Sequence, residues 1–319
     1  MPMETLAVVL REPETLELNR LELTPPGEED VVVDIEWSGI STGTEKLLWS
    51  GRMPPFPGMG YPLVPGYESV GRIVSNGSRA TRRIGERVFV PGARCFGPVR
   101  GLFGGAASRL VVPAQRAIEI DENLGERGVL LALAATAYHA LAPNGAAGPL
   151  ARPDLIVGHG VLGRLIARIA TATGEAPPVV WEVDSRRAAG AEGYRVVNPA
   201  EDETRNYKTI VDVSGDASLL DSLIARLAPG GEIVLAGFYS APIQFAFPPA
   251  FMREARLRVA AEWREGDLEA VKKRLASGRL SLGGLITHRS IAVNAPDAYR
   301  TAFGDASCLK MILDWRATA

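Results

Sequence analysis

Gly158-His159-Gly160-Val161-Leu162-Gly163 follows the apolar run "DLIVG" and opens the amphipathic run "RLIARIATATG". Glycines in the G-x-G-x-x-G pattern between a strand and a helix suit one chemistry, the holding of a dinucleotide pyrophosphate. Gly158 allows the tight turn, Gly160 lets backbone approach the phosphates, and Gly163 lets the helix pack on the strand. The first helical residues, Val161 and Leu162, bring N–H donors and partial positive charge. His159 lies inside the loop and is expected to meet solvent or phosphate. A carboxylate should follow at the end of the next strand, ~20 residues on, to accept from the adenine ribose. "VVWEVDSRR" offers Glu182 and Asp184. Strand alternation puts both on one side. Asp184 is preferred because it sits at the strand's carboxyl end, and its charge would repel a 2′-phosphate, favouring NAD over NADP. Arg186 and Arg187 pull the other way, since arginines there can hold that phosphate. Phe238 and Tyr239 follow the fourth parallel strand's "VLAG", which ends in Gly237; backbone there should lie near the nicotinamide.

These residues need a scaffold, and the chain divides into two kinds. Its first third reads as strands: "TLAVVL", "TLELNRLEL", "DVVVDIEWSGI", "SVGRIVSNGS", "GERVFVPG" and "ASRLVVPAQRAIEI" are short β-branched runs between turn residues. From about Asp121 helix and strand alternate, which predicts βαβ units in a parallel sheet. "DLEAVKKRLASGRL" reads as a surface helix with Leu268, Val271 and Leu275 inward, stopped at Gly278. The tail "APDAYRTAFGDASCLKMILDW" reads as a helix and then a strand. The expected fold class is α/β: a β-rich domain over 1–122 and 286–319, and a doubly wound parallel sheet over 123–285.

Bulk composition narrows the function. The chain has 319 residues, a formal net charge of −2, and no basic run, which argues against a nucleic-acid or anionic-membrane partner. Two cysteines, Cys95 and Cys308, form neither a CxxC pair nor a disulfide framework. A reducing cytoplasm is the expected setting. "GVLLALAATAYHALAP" is too short to span a bilayer and carries His139, so no stable membrane insertion is expected.

"SGISTGTE", "PGYESVGRIV", "GERV", "TAYHAL", "GHGVLG", "APGGEIVLAGF" and "LITHRSI" together resemble the medium-chain dehydrogenase/reductase family over essentially the whole chain. The resemblance implies a GroES-like catalytic domain, completed by the tail, and a Rossmann nucleotide domain. It also implies a homodimer joined at edge strands of the nucleotide domain, for which "APIQFAFPPAF" alternates suitably. Zinc members carry a cysteine where this chain has Ser41 and a histidine where it has Tyr67; the glutamate after it is retained as Glu68. Their further ligand falls among Ala134, Ala135 and Thr136, and the lobe of a second, structural zinc keeps only Cys95. Zinc needs about four ligands, three of them from protein at a catalytic site. No metal is therefore expected.

Within the family, "STGTEKLLWSGRMPPFPGMGYPLVPGYESVG" is similar to zinc-free dehydrogenases of bacteriochlorophyll synthesis. That implies NAD-linked oxidation of a 3-(1-hydroxyethyl) group on a tetrapyrrole to 3-acetyl. Positive charge developing at a carbinol carbon bonded to an aromatic macrocycle can delocalise, which lowers the need for a Lewis acid. Hydroxyl and carboxyl side chains then handle the proton. The candidates are Ser41, Thr44, Tyr67, Glu68 and His139. Thr44 stands where zinc relatives carry a relay hydroxyl, with one residue inserted. Glu68 is a base or the partner of an arginine, and His139 a catalytic group or a packed imidazole bonded to a carbonyl. Trp49, Met53, Phe56 and Tyr61 either contact a flat apolar substrate or pack over the barrel. Lys46 or Arg52 would meet its carboxylate. Two other readings stand: a zinc-free NAD(P)H reductase of a quinone or activated alkene, and a nucleotide-binding protein without catalysis.

Overall fold

The computed structural model describes residues 2–55 and 57–318. In chain order its strands are β1 (Glu4–Glu12), β2 (Thr15–Glu22), β3 (Asp30–Ile40), β4 (Leu63–Val64), β5 (Ser69–Asn76), β6 (Arg87–Val90), β7 (Arg100–Gly101), β8 (Arg109–Pro113) and β9 (Ile118–Glu119). They continue with β10 (Leu155–Val157), β11 (Val179–Trp181), β12 (Arg195–Val197), β13 (Tyr207–Asp212), β14 (Leu227–Leu235), β15 (Arg256–Val259), β16 (His288–Ile291) and β17 (Met311–Asp314). The helices are α1 (Thr44–Trp49), α2 (Leu131–Leu141), α3 (Val161–Thr171), α4 (Ser185–Ala188), α5 (Leu220–Arg226), α6 (Phe247–Met252), α7 (Glu265–Ala276) and α8 (Ala295–Gly304). Two compact units result, one from Met1–Leu131 with Leu285–Ala319, the other Ala132–Gly284.

The first unit is built on β3, whose run of valines and isoleucine suits a pleated, half-buried surface. β3 pairs antiparallel with β5, β8 and β17. Its sheet runs β16-β17-β3-β5-β6-β9, so the chain's tail supplies two strands beside β3. A second sheet runs β2-β1-β4-β7. Side chains from both, including Val8, Val33, Ile73 and Leu110, share one apolar core with Tyr299 and Trp315 from the tail.

The second unit is a six-stranded parallel sheet in the order β12-β11-β10-β13-β14-β15. The order reverses between β10 and β13, which is where such sheets open a ligand crevice at the strands' carboxyl ends. β10 is buried along its whole length, as a strand covered on both faces must be. α7 buries Leu268 and Val271 and stops before Gly278 at φ 69°. "APIQFAFPPAF" is not an edge strand. Residues 241–246 are irregular and Pro248 and Pro249 sit in the first turn of α6, where a missing N–H costs nothing. The edge is β15.

Candidate active and nucleotide sites

Ser41 follows β3 directly, Thr44 opens α1, and Tyr67 lies between β4 and β5. The folding of these elements brings the three together. The Tyr67 phenol donates to Ser41 Oγ at 2.7 Å. Burial, with the charge of Glu68, raises the Tyr67 pKa well above the ordinary phenol value, against the opposing pull of Ser41 and Thr44. Tyr67 is therefore a neutral phenol at any working pH. With its proton committed to Ser41, its oxygen is left to accept one.

Directly behind lies a polar cluster in the core. Glu68 is fully buried, and Lys310 Nζ donates to both its oxygens, at 2.9 and 2.7 Å, and to the Ile40 carbonyl at 3.1 Å. Gly39 makes the room: a Cβ there would stand 2.1 Å from Glu68 Oε2. Glu68 is thus paired, but with a lysine rather than an arginine. Burial raises its pKa against the opposing pull of Lys310. Glu45 is also buried; it accepts from the Ser41 N–H at 3.0 Å and from the Tyr299 hydroxyl at 2.6 Å. Glu45, Lys310 and Tyr299 escaped the sequence reading. The available signal was a lone lysine inside the apolar run "CLKMIL".

Zinc does not fit this donor set. Ser41 and Tyr67 offer hydroxyls bonded to each other, and Glu68 is taken by Lys310. Among the described residues no group of three or more His, Cys, Asp or Glu side chains converges to hold a metal.

Burial raises the Glu45 pKa from 4.5 to about 7. The native state then holds a proton that the unfolded chain releases, so this group's contribution is fully present below pH 4.5 and is lost as pH rises through about 7. Glu45→Gln should remove that loss. Between pH 5 and pH 8 the variant should gain on wild type by up to about 3 kcal/mol. Denaturant midpoints at the two pH values check this, and equal differences at both would refute it.

The apolar loop is packed into its own unit. Met53 is buried in a cluster with Leu10, Leu48, Leu63 and Leu102, against which Trp49 and Tyr61 pack half-buried. Trp49 stacks at a tilt on Phe303 and the Tyr61 hydroxyl donates to the Leu48 carbonyl. These three residues thus pack within their own unit, Trp49 and Tyr61 keeping part of their surface exposed, and Phe56 lies outside the described residues. Lys46 donates to the Phe303 carbonyl, and Arg52 to Ser50.

In the second unit the glycine loop joins β10 to α3. Gly158 has φ 106°, which favours glycine, and a Cβ on Gly163 would stand 1.9 Å from the Gly158 carbonyl oxygen. Gly160 differs: its backbone is extended and a Cβ there would meet nothing within 4 Å. Open space over Gly160 at the start of α3, with Val161 and Leu162 in the first turn, fits a pyrophosphate. Glu182 reaches back to this loop, accepting from the His159 N–H at 3.1 Å and the Asp184 N–H at 2.9 Å. Asp184 instead caps α4 and takes two bonds from the Arg186 guanidinium, which holds its pKa down to about 2.

His159 does not face solvent or phosphate. It is fully buried, bonded to the Arg187 carbonyl at 2.6 Å and the Tyr194 hydroxyl at 2.9 Å, and burial lowers its pKa to about 4. His139 Nδ1 is 2.9 Å from Asp267 Oδ2, the carboxylate that also caps α7, so this imidazole has a structural carboxylate partner rather than a carbonyl. Gly237 packs against residues 213–215, and Phe238 beside it is half exposed. Asp212, at the carboxyl end of β13, accepts from the Tyr239 hydroxyl at 2.8 Å and the Ser214 N–H at 2.9 Å, tying these two strand-end loops together.

Residues 27–122 match the alcohol dehydrogenase GroES-like domain. The chain is 58% identical to the 2-desacetyl-2-hydroxyethyl bacteriochlorophyllide A dehydrogenase of Cereibacter sphaeroides, over 99% of this chain and all of that protein. It is 56% identical to the protein of that name from Rhodobacter capsulatus, over 98% of this chain and 99% of that one. Its fold matches an Escherichia coli CFT073 alcohol dehydrogenase complexed with NADH (TM-score 0.82, 22% identity, 98% of this chain and 99% of that one). It also matches a candidate zinc-binding dehydrogenase of Sinorhizobium meliloti 1021 bound to NADP (TM-score 0.80, 20% identity, 98% and 99%). Taken with the parallel sheet, its glycine loop and the β-rich unit completed by the tail, near-full-length identity to those two dehydrogenases places the chain in the medium-chain dehydrogenase/reductase family of oxidoreductases.

Proposed function

We propose that this chain oxidises the 3-(1-hydroxyethyl) group of a bacteriochlorophyllide to 3-acetyl, with NAD as hydride acceptor and without zinc. The observation that carries the reading is identity over the whole length to two dehydrogenases named for that substrate. The Tyr67–Ser41 pair supports the metal-free part. The first unit is the catalytic one, the second holds the nucleotide, and the protein acts in the cytoplasm. No helix among the described residues is long and apolar enough to cross a membrane.

NAD, when bound, supplies the hydride-accepting nicotinamide; Gly160, Val161, Leu162, Gly237 and Phe238 would hold it. The substrate hydroxyl donates to Tyr67 Oη, which already donates to Ser41 Oγ. As hydride departs from the carbinol carbon, the hydroxyl proton moves to Tyr67, the phenol's own proton moves to Ser41, and Ser41 releases its original hydroxyl proton to water, so that no side chain keeps an added charge. Burial and the charge of Glu68 keep the phenol protonated, while Lys310 holds Glu68 in place beside it. Tyr67→Phe should lower kcat by ~10²-fold or more and leave NAD binding intact. Wild-type turnover in that variant would remove Tyr67 from the chemistry.

For the ribose carboxylate, the geometry moves the proposal from Asp184 to Glu182, which is fixed against the glycine loop. Glu182→Gln should erode the preference for NAD over NADP by ~10-fold or more, the worth of a charged hydrogen bond, while Asp184→Asn changes it little. Ratios of kcat/KM for the two nucleotides decide it, and the reverse order would restore Asp184. The homodimer is proposed through β15, with exposed Leu257 and Val259 on it and exposed Phe247, Phe251 and Met252 of α6 nearby in the chain. Sedimentation of the purified protein tests it.

A further inference from the structure

The connection from β11 to β12 carries one turn of helix, α4, and then residues 189–193, which form no regular element. In a nucleotide-binding sheet this connection leads away from the ribose carboxylate and borders the adenosine. Residues 189–193 are mostly exposed, so apolar packing does little to hold them. A buried cation does it instead. Arg164, one residue past the last loop glycine, lies on α3 at 7% exposure. Its Nε donates to the His159 carbonyl at 3.1 Å, Nη1 to Gly190 at 3.1 Å, and Nη2 to Arg187 and Ala189 at 2.9 and 2.8 Å. All four acceptors are backbone carbonyls, three of them in the connection and one in the glycine loop. Gly190 is shaped to this contact: it has φ 82°, and a Cβ on it would stand 2.6 Å from Arg164 Nη1.

His159 adds a second tie between the same two segments. One tautomer satisfies both its contacts: Nδ1–H donates to the Arg187 carbonyl and Nε2 accepts from the Tyr194 hydroxyl. The His159 peptide unit is gripped on both sides, its N–H by Glu182 and its carbonyl by Arg164. The glycine loop, the carboxylate and the connection are thus one hydrogen-bonded block.

We propose that Arg164, assisted by His159 and Tyr194, is a positioning residue that preassembles the adenosine half of the nucleotide site without touching the nucleotide. The proposal rests on the reading that this unit binds a dinucleotide. A site held in its bound shape loses less freedom on binding, so its affinity is higher than that of a mobile one. The effect belongs to the adenosine half alone. Arg164→Met should weaken binding of ADP-ribose and NAD ~10- to 100-fold while kcat at saturating NAD stays within about twofold of wild type, so that the loss appears in KM. Tyr194→Phe keeps the ring and removes one tie; it should weaken ADP-ribose several-fold and carries the test should Arg164→Met fail to fold.

Calorimetric titration with ADP-ribose, alongside steady-state kinetics, reads all of this. ADP-ribose affinity within twofold of wild type in the variants, whatever their melting temperature, would overturn the proposal, as would a fall in kcat with KM unchanged. Failure of the wild type itself to bind ADP-ribose would instead sink the dinucleotide reading, and the positioning role with it.

Discussion

Lys310→Met is expected to destabilise the first unit by about 3–5 kcal/mol. The lysine and Glu68 are both almost wholly buried, so neither has water to fall back on. Removing the ammonium leaves Glu68 among apolar neighbours with both oxygens unpaired, and a carboxylate so placed must protonate or break the packing. Glu68→Gln/Lys310→Met should recover much of the loss, because a neutral amide next to an apolar side chain of similar length strands no charge. Denaturant midpoints of the three proteins measure it. A single variant as stable as wild type would mean that the pair does not hold the segment leading into β17 against the end of β3. The consequence for function follows from position: Glu68 adjoins Tyr67, and Lys310 precedes β17, which pairs with β3 up to Ile40, next to Ser41.

The second large effect concerns the glycine loop. Gly160→Val should weaken NAD binding by ~100-fold or more and leave the fold intact. The backbone of Gly160 is extended, a conformation valine adopts freely, and a Cβ there meets no protein atom within 4 Å. The added side chain would occupy only the space through which a pyrophosphate must approach. Gly163→Ala supplies the contrast. Its Cβ would stand 1.9 Å from the Gly158 carbonyl oxygen, so strand and helix must separate and stability falls together with binding. Fluorescence titration with NADH and thermal melts of both variants separate the two roles. Undiminished NADH affinity in Gly160→Val would show the loop to be a structural turn.

Much of this was legible in the chain because it is local. Alternating strand and helix periods predicted the parallel sheet, and the glycines mark the strand-to-helix turn that the structure contains. The nearness of Ser41, Thr44 and Tyr67 came through family resemblance, and the fold brings them together. What escaped depends on distant partners. Glu68 meets a lysine 242 residues away, and Glu45 a tyrosine 254 away; neither has a periodic signature. His159 looked exposed because loops usually are, yet Arg164 and Tyr194 close over it. "APIQFAFPPAF" alternates like a strand, but two of its three prolines, Pro248 and Pro249, sit in the first turn of a helix. Alternation counted from the strand puts Glu182 and Asp184 on one side, but β11 ends at Trp181; the two differ in the direction each side chain takes, one to the glycine loop and one to Arg186.

The most direct test of the central claim mixes the purified protein with 3-hydroxyethyl bacteriochlorophyllide, NAD and a metal chelator and follows the pigment's long-wavelength band. An acetyl carbonyl conjugates with the macrocycle, so the band is expected to shift to the red in a way that requires protein and NAD, keeps pace with NADH formation and persists with the chelator present. No shift, in protein that binds NAD, would contradict it and leave a reductase of quinones or activated alkenes, or a nucleotide-binding protein without turnover, as the reading to pursue.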